Sequence, residues 1–130
     1  MRLAVLFLAL LLICSCRRAS QEVGSSQSGQ FVASVEISGL EAGPTKQYCV
    51  RLWVQDKKAG KEFALQTGAS DVQKWAVCWV GESLVLYSSD AGTLSYDPKD
   101  GGLIERDPTK LEQDEARRAY EIKYRISRKS

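Results

Sequence analysis

The sequence predicts a mainly β domain of the α+β class: one small antiparallel sheet of about five to seven short strands with a C-terminal helix packed on it. Three observations lead there. Residues 72–98 hold three short apolar runs separated by Gly-, Ser- and Asp-rich turns, and connections that short favour antiparallel neighbours. Residues 31–38 alternate strictly between apolar and polar, the period of a half-buried strand. Near the end, Thr109-Lys110-Leu111-Glu112 has the spacing of a capping box, which opens a helix.

The elements follow in order. Phe31, Ala33, Val35 and Ile37 share one face of the first strand. Residues 47–54 form the next, with Tyr48, Val50, Leu52 and Val54 on one side and Cys49, Arg51 and Trp53 on the other. Gln55–Lys61 is a charged turn containing Gly60, and Glu62–Gln66 is a short strand with Phe63 and Leu65 on one side. Residues 67–71 read as a loop leading into the central stretch. Val72–Val80 is apolar on both faces, which suits a strand covered on both sides. Leu84–Tyr87 and Thr93–Tyr96 complete a meander, with Trp75 and Trp79 read as core and a ligand-stacking role as their alternative. Leu103–Arg106 is a last short strand, and the helix runs from Thr109 to about Tyr124 with Ala116, Tyr120 and Tyr124 in one stripe beside Ala119.

The N-terminal part divides the 130-residue chain into three. Arg2 precedes Leu3–Ile13, an unbroken apolar run. It is too short for a spanning helix of roughly 20 residues but has the length of a signal-peptide core. Ile13-Cys14-Ser15-Cys16 follows. It resembles the bacterial lipoprotein cleavage box: an aliphatic residue, a variable one, a small one, then the cysteine that is acylated. That resemblance implies a signal peptide over residues 1–15, cleavage after Ser15 and lipidation of Cys16. A plain secretory signal releasing a soluble protein and an uncleaved anchor are the alternatives. Residues 16–30 then read as the lipidated cysteine and a flexible tether, because Val23 is the one aliphatic side chain larger than alanine in 17–30 and Ser, Gly and Gln dominate the second half. As a random coil that tether would reach on the order of 20 Å. Residues 31–130 make the single folded domain, its last residues a basic tail.

Composition limits the chemistry. There is no histidine, which removes Ser-His-Asp and Cys-His catalysis and imidazole zinc sites. Net charge is +2 and the mature body is close to neutral, which argues against nucleic-acid binding. No cofactor, metal ligand set or catalytic group is assigned. With Cys16 acylated, Cys49 and Cys78 remain. An oxidising compartment allows a Cys49–Cys78 disulfide, closing a loop of about 29 residues worth roughly 3.6 kcal/mol; two buried thiols are the rival. The one enzyme arrangement to weigh is a small hydrolase using Asp90 with Asp97 or Glu105, and Ser88 or Ser89 as nucleophile; these residue types are also ordinary turn formers.

Ser88-Ser89-Asp90, Gly92-Thr93, Glu105-Arg106, Pro108-Thr109, Glu112, Ala119-Tyr120 and Lys123-Tyr124 together resemble the shared block of a group of small uncharacterised exported bacterial proteins, SSD-x-GT, ER-x-PT-x-x-E and AY-x-x-KY. The resemblance covers about residues 75–125. It implies a family-level fold and no activity, and the tail after Tyr124 departs from the group in lacking a Gly/Pro ending. The sequence therefore predicts a lipid-anchored protein of the bacterial cell envelope on the periplasmic side, a structural or protein-binding accessory domain whose partners are the membrane and possibly another envelope protein.

Overall fold

The computed structural model describes residues 20–37, 49–70 and 74–125. The signal-peptide and Cys16 readings lie outside the described residues. Among the described residues eight strands precede one helix: β1 (Ser20–Ser25), β2 (Phe31–Ile37), β3 (Cys49–Asp56), β4 (Lys61–Ser70), β5 (Trp75–Val80), β6 (Ser83–Ser88), β7 (Gly92–Lys99), β8 (Gly102–Arg106) and α1 (Lys110–Lys123). The strands are antiparallel throughout. They make two four-stranded meanders, β1-β2-β3-β4 and β5-β6-β7-β8, rather than a single sheet.

The two sheets share one core, drawn from Ala33, Val35, Val50, Leu52, Val54 and Ala69 of the first and Trp75, Leu84, Leu86 and Tyr96 of the second. Side-chain alternation places these residues on the two facing surfaces. Trp75 and Trp79 both point inward; Trp75 is buried, and the Trp79 indole N–H donates to the Gly24 carbonyl at 2.9 Å. The opposite surface of the second sheet carries Ala76, Val85 and Ser95, and α1 covers it with Glu112 and Ala116 buried and Ala119, Tyr120 and Tyr124 half-buried.

Two further differences from the sequence reading have physical causes. Residues 20–30 are not a tether: Ser20–Ser25 pair with β2, Ser20 opposite Glu36 and Ser25 opposite Val32. The hairpin turn that follows is sewn to the second sheet, with Gln27 N–H donating to Gly81 O at 3.1 Å and Ser28 N–H to a Glu82 carboxylate oxygen at 2.9 Å. Backbone pairing at a sheet edge asks little of side chains, so a polar segment fills it. Likewise β4 runs on through the expected loop to Ser70, where Thr67 Oγ1 donates to Val50 O at 2.7 Å.

The turns behave as their residues dictate. Asp100 and Gly101, at φ 53° and 77°, close the β7–β8 hairpin as a two-residue loop of the type that favours Asp-Gly.

Candidate functional site

The carboxylates with the strongest sequence claim to chemistry are engaged in holding the fold. In the β6–β7 turn, Ser88 Oγ donates to Asp90 Oδ1 at 2.8 Å, and Ser70 N–H donates to Asp90 Oδ2 at 3.0 Å. These bonds hold the Asp90 carboxyl below its ordinary value. Asp97 lies at the other end of β7, about five strand residues from Gly92 and so roughly 17 Å away. Its side chain accepts from Ser83 Oγ at 2.6 Å and from Arg106 Nε at 2.6 Å. Burial raises its pKa, but those bonds outweigh it and the net shift is downward. Asp90 and Asp97 therefore do not form a catalytic pair, and the hydrolase arrangement is corrected on that separation. Glu105 also lies apart from Asp90: it pairs with Tyr96 across the strands and accepts from its hydroxyl at 3.3 Å.

Arg106 is the centre of this polar cluster. Its guanidinium grips Glu112 with two bonds, 2.8 Å from Nη1 and 2.6 Å from Nη2, while Nε meets Asp97. Bidentate geometry of this kind is the strong form of the carboxylate–guanidinium bond. Glu112 Oε1 also accepts from Ser95 Oγ at 3.2 Å and from Thr109 N–H at 2.8 Å, and Thr109 Oγ1 accepts from Glu112 N–H to complete the capping box. Arg106, foremost, holds the Glu112 carboxyl at about 2, well below 4.5.

The two thiols do not bridge. Cys49 and Cys78 are not joined as the expected disulfide, because alternation puts them on opposite sides of the molecule. Cys49 shares the outward parity of Arg51 and Trp53 on the first sheet; Cys78 faces α1 on the second. Burial, then the charge of Glu115, pushes the Cys78 thiol up to about 11, which disfavours a nucleophilic thiolate.

Among the described residues, no helix or strand packs over the outer face of the first sheet. The registers set out its rows: Glu36, Arg51 and Gln66; then Glu22, Ser34, Trp53 and Ala64; then Val32, Gln55 and Glu62. Trp53, half-buried at the centre, donates its indole N–H to Glu36 Oε2 at 2.5 Å, and the Arg51 guanidinium lies 5.1 Å from its ring centroid. A trough of about 310 Å³ beside it is lined by Glu22, Val32, Ser34, Trp53, Gln55 and Glu62. The small Ser34 and Ala64 flank the indole on the neighbouring strands and leave it accessible. Such an arrangement can receive a flat or aliphatic group against the indole with hydrogen-bonding groups around it. Its signal in the sequence was parity: Trp53 alternates with Leu52 and Val54 and keeps company with Arg51 and Gln55, a large aromatic on the wet side of a strand.

Among the described residues no cluster of three or more His, Cys, Asp and Glu side chains is placed to hold a metal ion, and no helix is long and apolar enough to cross a membrane. Comparison with protein-family models, with curated proteins and with solved structures finds no match to this chain.

Proposed function

We propose that the chain is a bacterial envelope lipoprotein, anchored through Cys16, whose folded body is an accessory domain that binds another envelope protein through the outer face of its first sheet. The observation that carries the binding reading is the contrast between the two sheets. The outer face of the second is covered by α1, whereas the outer face of the first presents Trp53 with its indole fixed by Glu36. Interface centres are enriched in aromatics and arginine, and Trp53 and Arg51 supply one of each. The polar groups that a hydrolase would need are bonded to one another instead. The support for the anchor is the Ile13-Cys14-Ser15-Cys16 pattern after an eleven-residue apolar run.

The test is photo-crosslinking from position 55, next to Trp53 on the outer face, in the native envelope. A defined crosslinked protein that disappears with Trp53→Ala supports the reading. A chain that crosslinks to nothing while the purified protein turns over a substrate overturns it. The anchor is tested separately by Cys16→Ser: acylation and membrane retention are lost if the reading is right, and unchanged processing and location would sink it.

A further inference from the structure

We propose that the trough beside Trp53 receives a guanidinium, the side chain of an arginine that the partner protein presents. This rests on the binding reading above and names the chemistry of the contact. Every residue that forms the trough belongs to strands β1 to β4. The Trp53 indole N–H is held by Glu36, so the ring is set in place by the sheet itself. Along β3 the ring has two neighbours of the same parity. Arg51, on one side, places its guanidinium 5.1 Å from the ring centroid. Gln55, on the other, lines the trough, and Arg51 does not. The trough is therefore the side of the indole that Arg51 leaves uncovered. Its volume, about 310 Å³, reaches the lower end of the range for ligand sites, roughly 300–1,000 Å³.

Both charged side chains that line the trough are negative, Glu22 and Glu62. Glu62 is a diagonal cross-strand neighbour of Trp53, which pairs with Ala64, and such neighbours stand roughly 7–8 Å apart. Glu22 shares the row of Trp53 two strands away, with the small Ser34 between them, a backbone separation of about 10 Å. Both glutamates are exposed, and among the described residues neither side chain has an ion pair or a hydrogen bond. Lys57, Lys58 and Lys61 belong to the β3–β4 turn, and none of them lines the trough. An indole face with two uncompensated carboxylates beside it repels anions and attracts cations. A guanidinium suits it better than an ammonium. It is planar and weakly hydrated, it stacks on aromatic faces, and it meets a carboxylate through two parallel N–H bonds. Ser34 Oγ and the Gln55 amide oxygen add acceptors at the same place. Arg51 already makes the stacking half of this contact on the same ring.

The test uses two probes that differ in charge and little else: Nα-acetyl-arginine amide, and Nα-acetyl-citrulline amide, in which a neutral urea replaces the guanidinium. The mature chain, in zwitterionic micelles and labelled with nitrogen-15 at its three tryptophans, is titrated with each while the indole N–H resonances are followed. Trp53→Ala identifies the Trp53 signal. The arginine probe is expected to move that signal, to leave those of Trp75 and Trp79 in place, and to bind at least about fivefold more tightly than the citrulline probe. The double variant Glu22→Gln, Glu62→Gln changes two exposed side chains outside the core, so it should keep all three indole signals and lose the preference for arginine. Equal responses to the two probes overturn the proposal. So does an undiminished arginine preference in the double variant, or a Trp53 signal that moves with methyl β-glucoside and not with arginine. The binding reading fails separately: then the arginine probe behaves as expected, yet photo-crosslinking from position 55 captures no protein. A crosslinked protein whose capture needs Trp53 but survives the double variant keeps that reading and overturns this proposal.

Discussion

Arg106 does the work of three side chains at once. It neutralises Glu112 and Asp97 and bonds Ser83 Oγ at 2.9 Å, so one guanidinium ties β6, β7, β8 and the first turn of α1 together. Replacing it by leucine leaves Glu112, only 4% exposed, as a charge without its main partner. The expected loss is about 2–3 kcal/mol in chemical denaturation, with helix signal lost first if the helix detaches. Glu112 also sets an acid limit. Its carboxyl titrates at about 2 in the folded chain against an ordinary 4.5. A depressed folded value means that the stabilisation is complete above 4.5 and drains away as pH falls from there through 2. Stability measured by urea denaturation should decline over that window, and Glu112→Gln should be less stable at neutral pH yet flatter across the acid range. These residues were partly legible: the Thr109–Glu112 capping box is local and could be read from spacing. That Glu112 also receives Arg106 was not, since it depends on β8 meeting the helix start.

At the scale of elements, the helix and β1 teach opposite lessons. The helix announced itself through its cap and through Ala116, Tyr120 and Tyr124 at four-residue spacing, signals carried within fourteen residues. Tyr120 meets Tyr87 edge-on at 4.8 Å between centroids, and Tyr124 fixes the start of β5. Tyr124→Phe removes its hydroxyl bonds to Trp75 and should cost about 1 kcal/mol, read as a small shift of the denaturation midpoint with unchanged slope. β1 gave no such signal. Its one large aliphatic side chain is Val23, and its bonds go to β2, 7 to 16 residues further along the chain, rather than to near neighbours, so composition alone reads as linker. The consequence is sharp: removing residues 17–30 would be neutral for a tether, but here it strips an edge strand and exposes Ala33 and Val35, which are each 1% exposed. The truncated chain should lose cooperative unfolding or fall by several kcal/mol, at about 25 cal/mol per Å² of apolar surface newly wetted.

For the whole molecule, the strand pattern was legible and the partition was not. Nearly every inward residue was placed on the correct face by alternation, including Val50, Leu52 and Val54 opposite Cys49, Arg51 and Trp53. Whether β5 continues the first meander or opens a second sheet turns on residues 71–74, and four residues serve either route. That ambiguity also decided the cysteines, for one sheet could set both thiols on a shared surface and two facing sheets set them on opposite ones. Non-reducing mass spectrometry of the mature chain should show no Cys49–Cys78 crosslinked peptide.

The antiparallel pairing of β1 with β2 has a mechanical side. A load applied at Ser20 meets the β1–β2 hydrogen bonds one after another, as a zipper, so the first rungs yield at low force. Peeling then arrives at the far hairpin, where Trp79 grips Gly24, Gln27 reaches Gly81 and Ser28 reaches Glu82. Those three bonds join the two sheets and act as a stop. Tension on the leading end would thus lengthen the connection by one strand before it threatened the body of the fold.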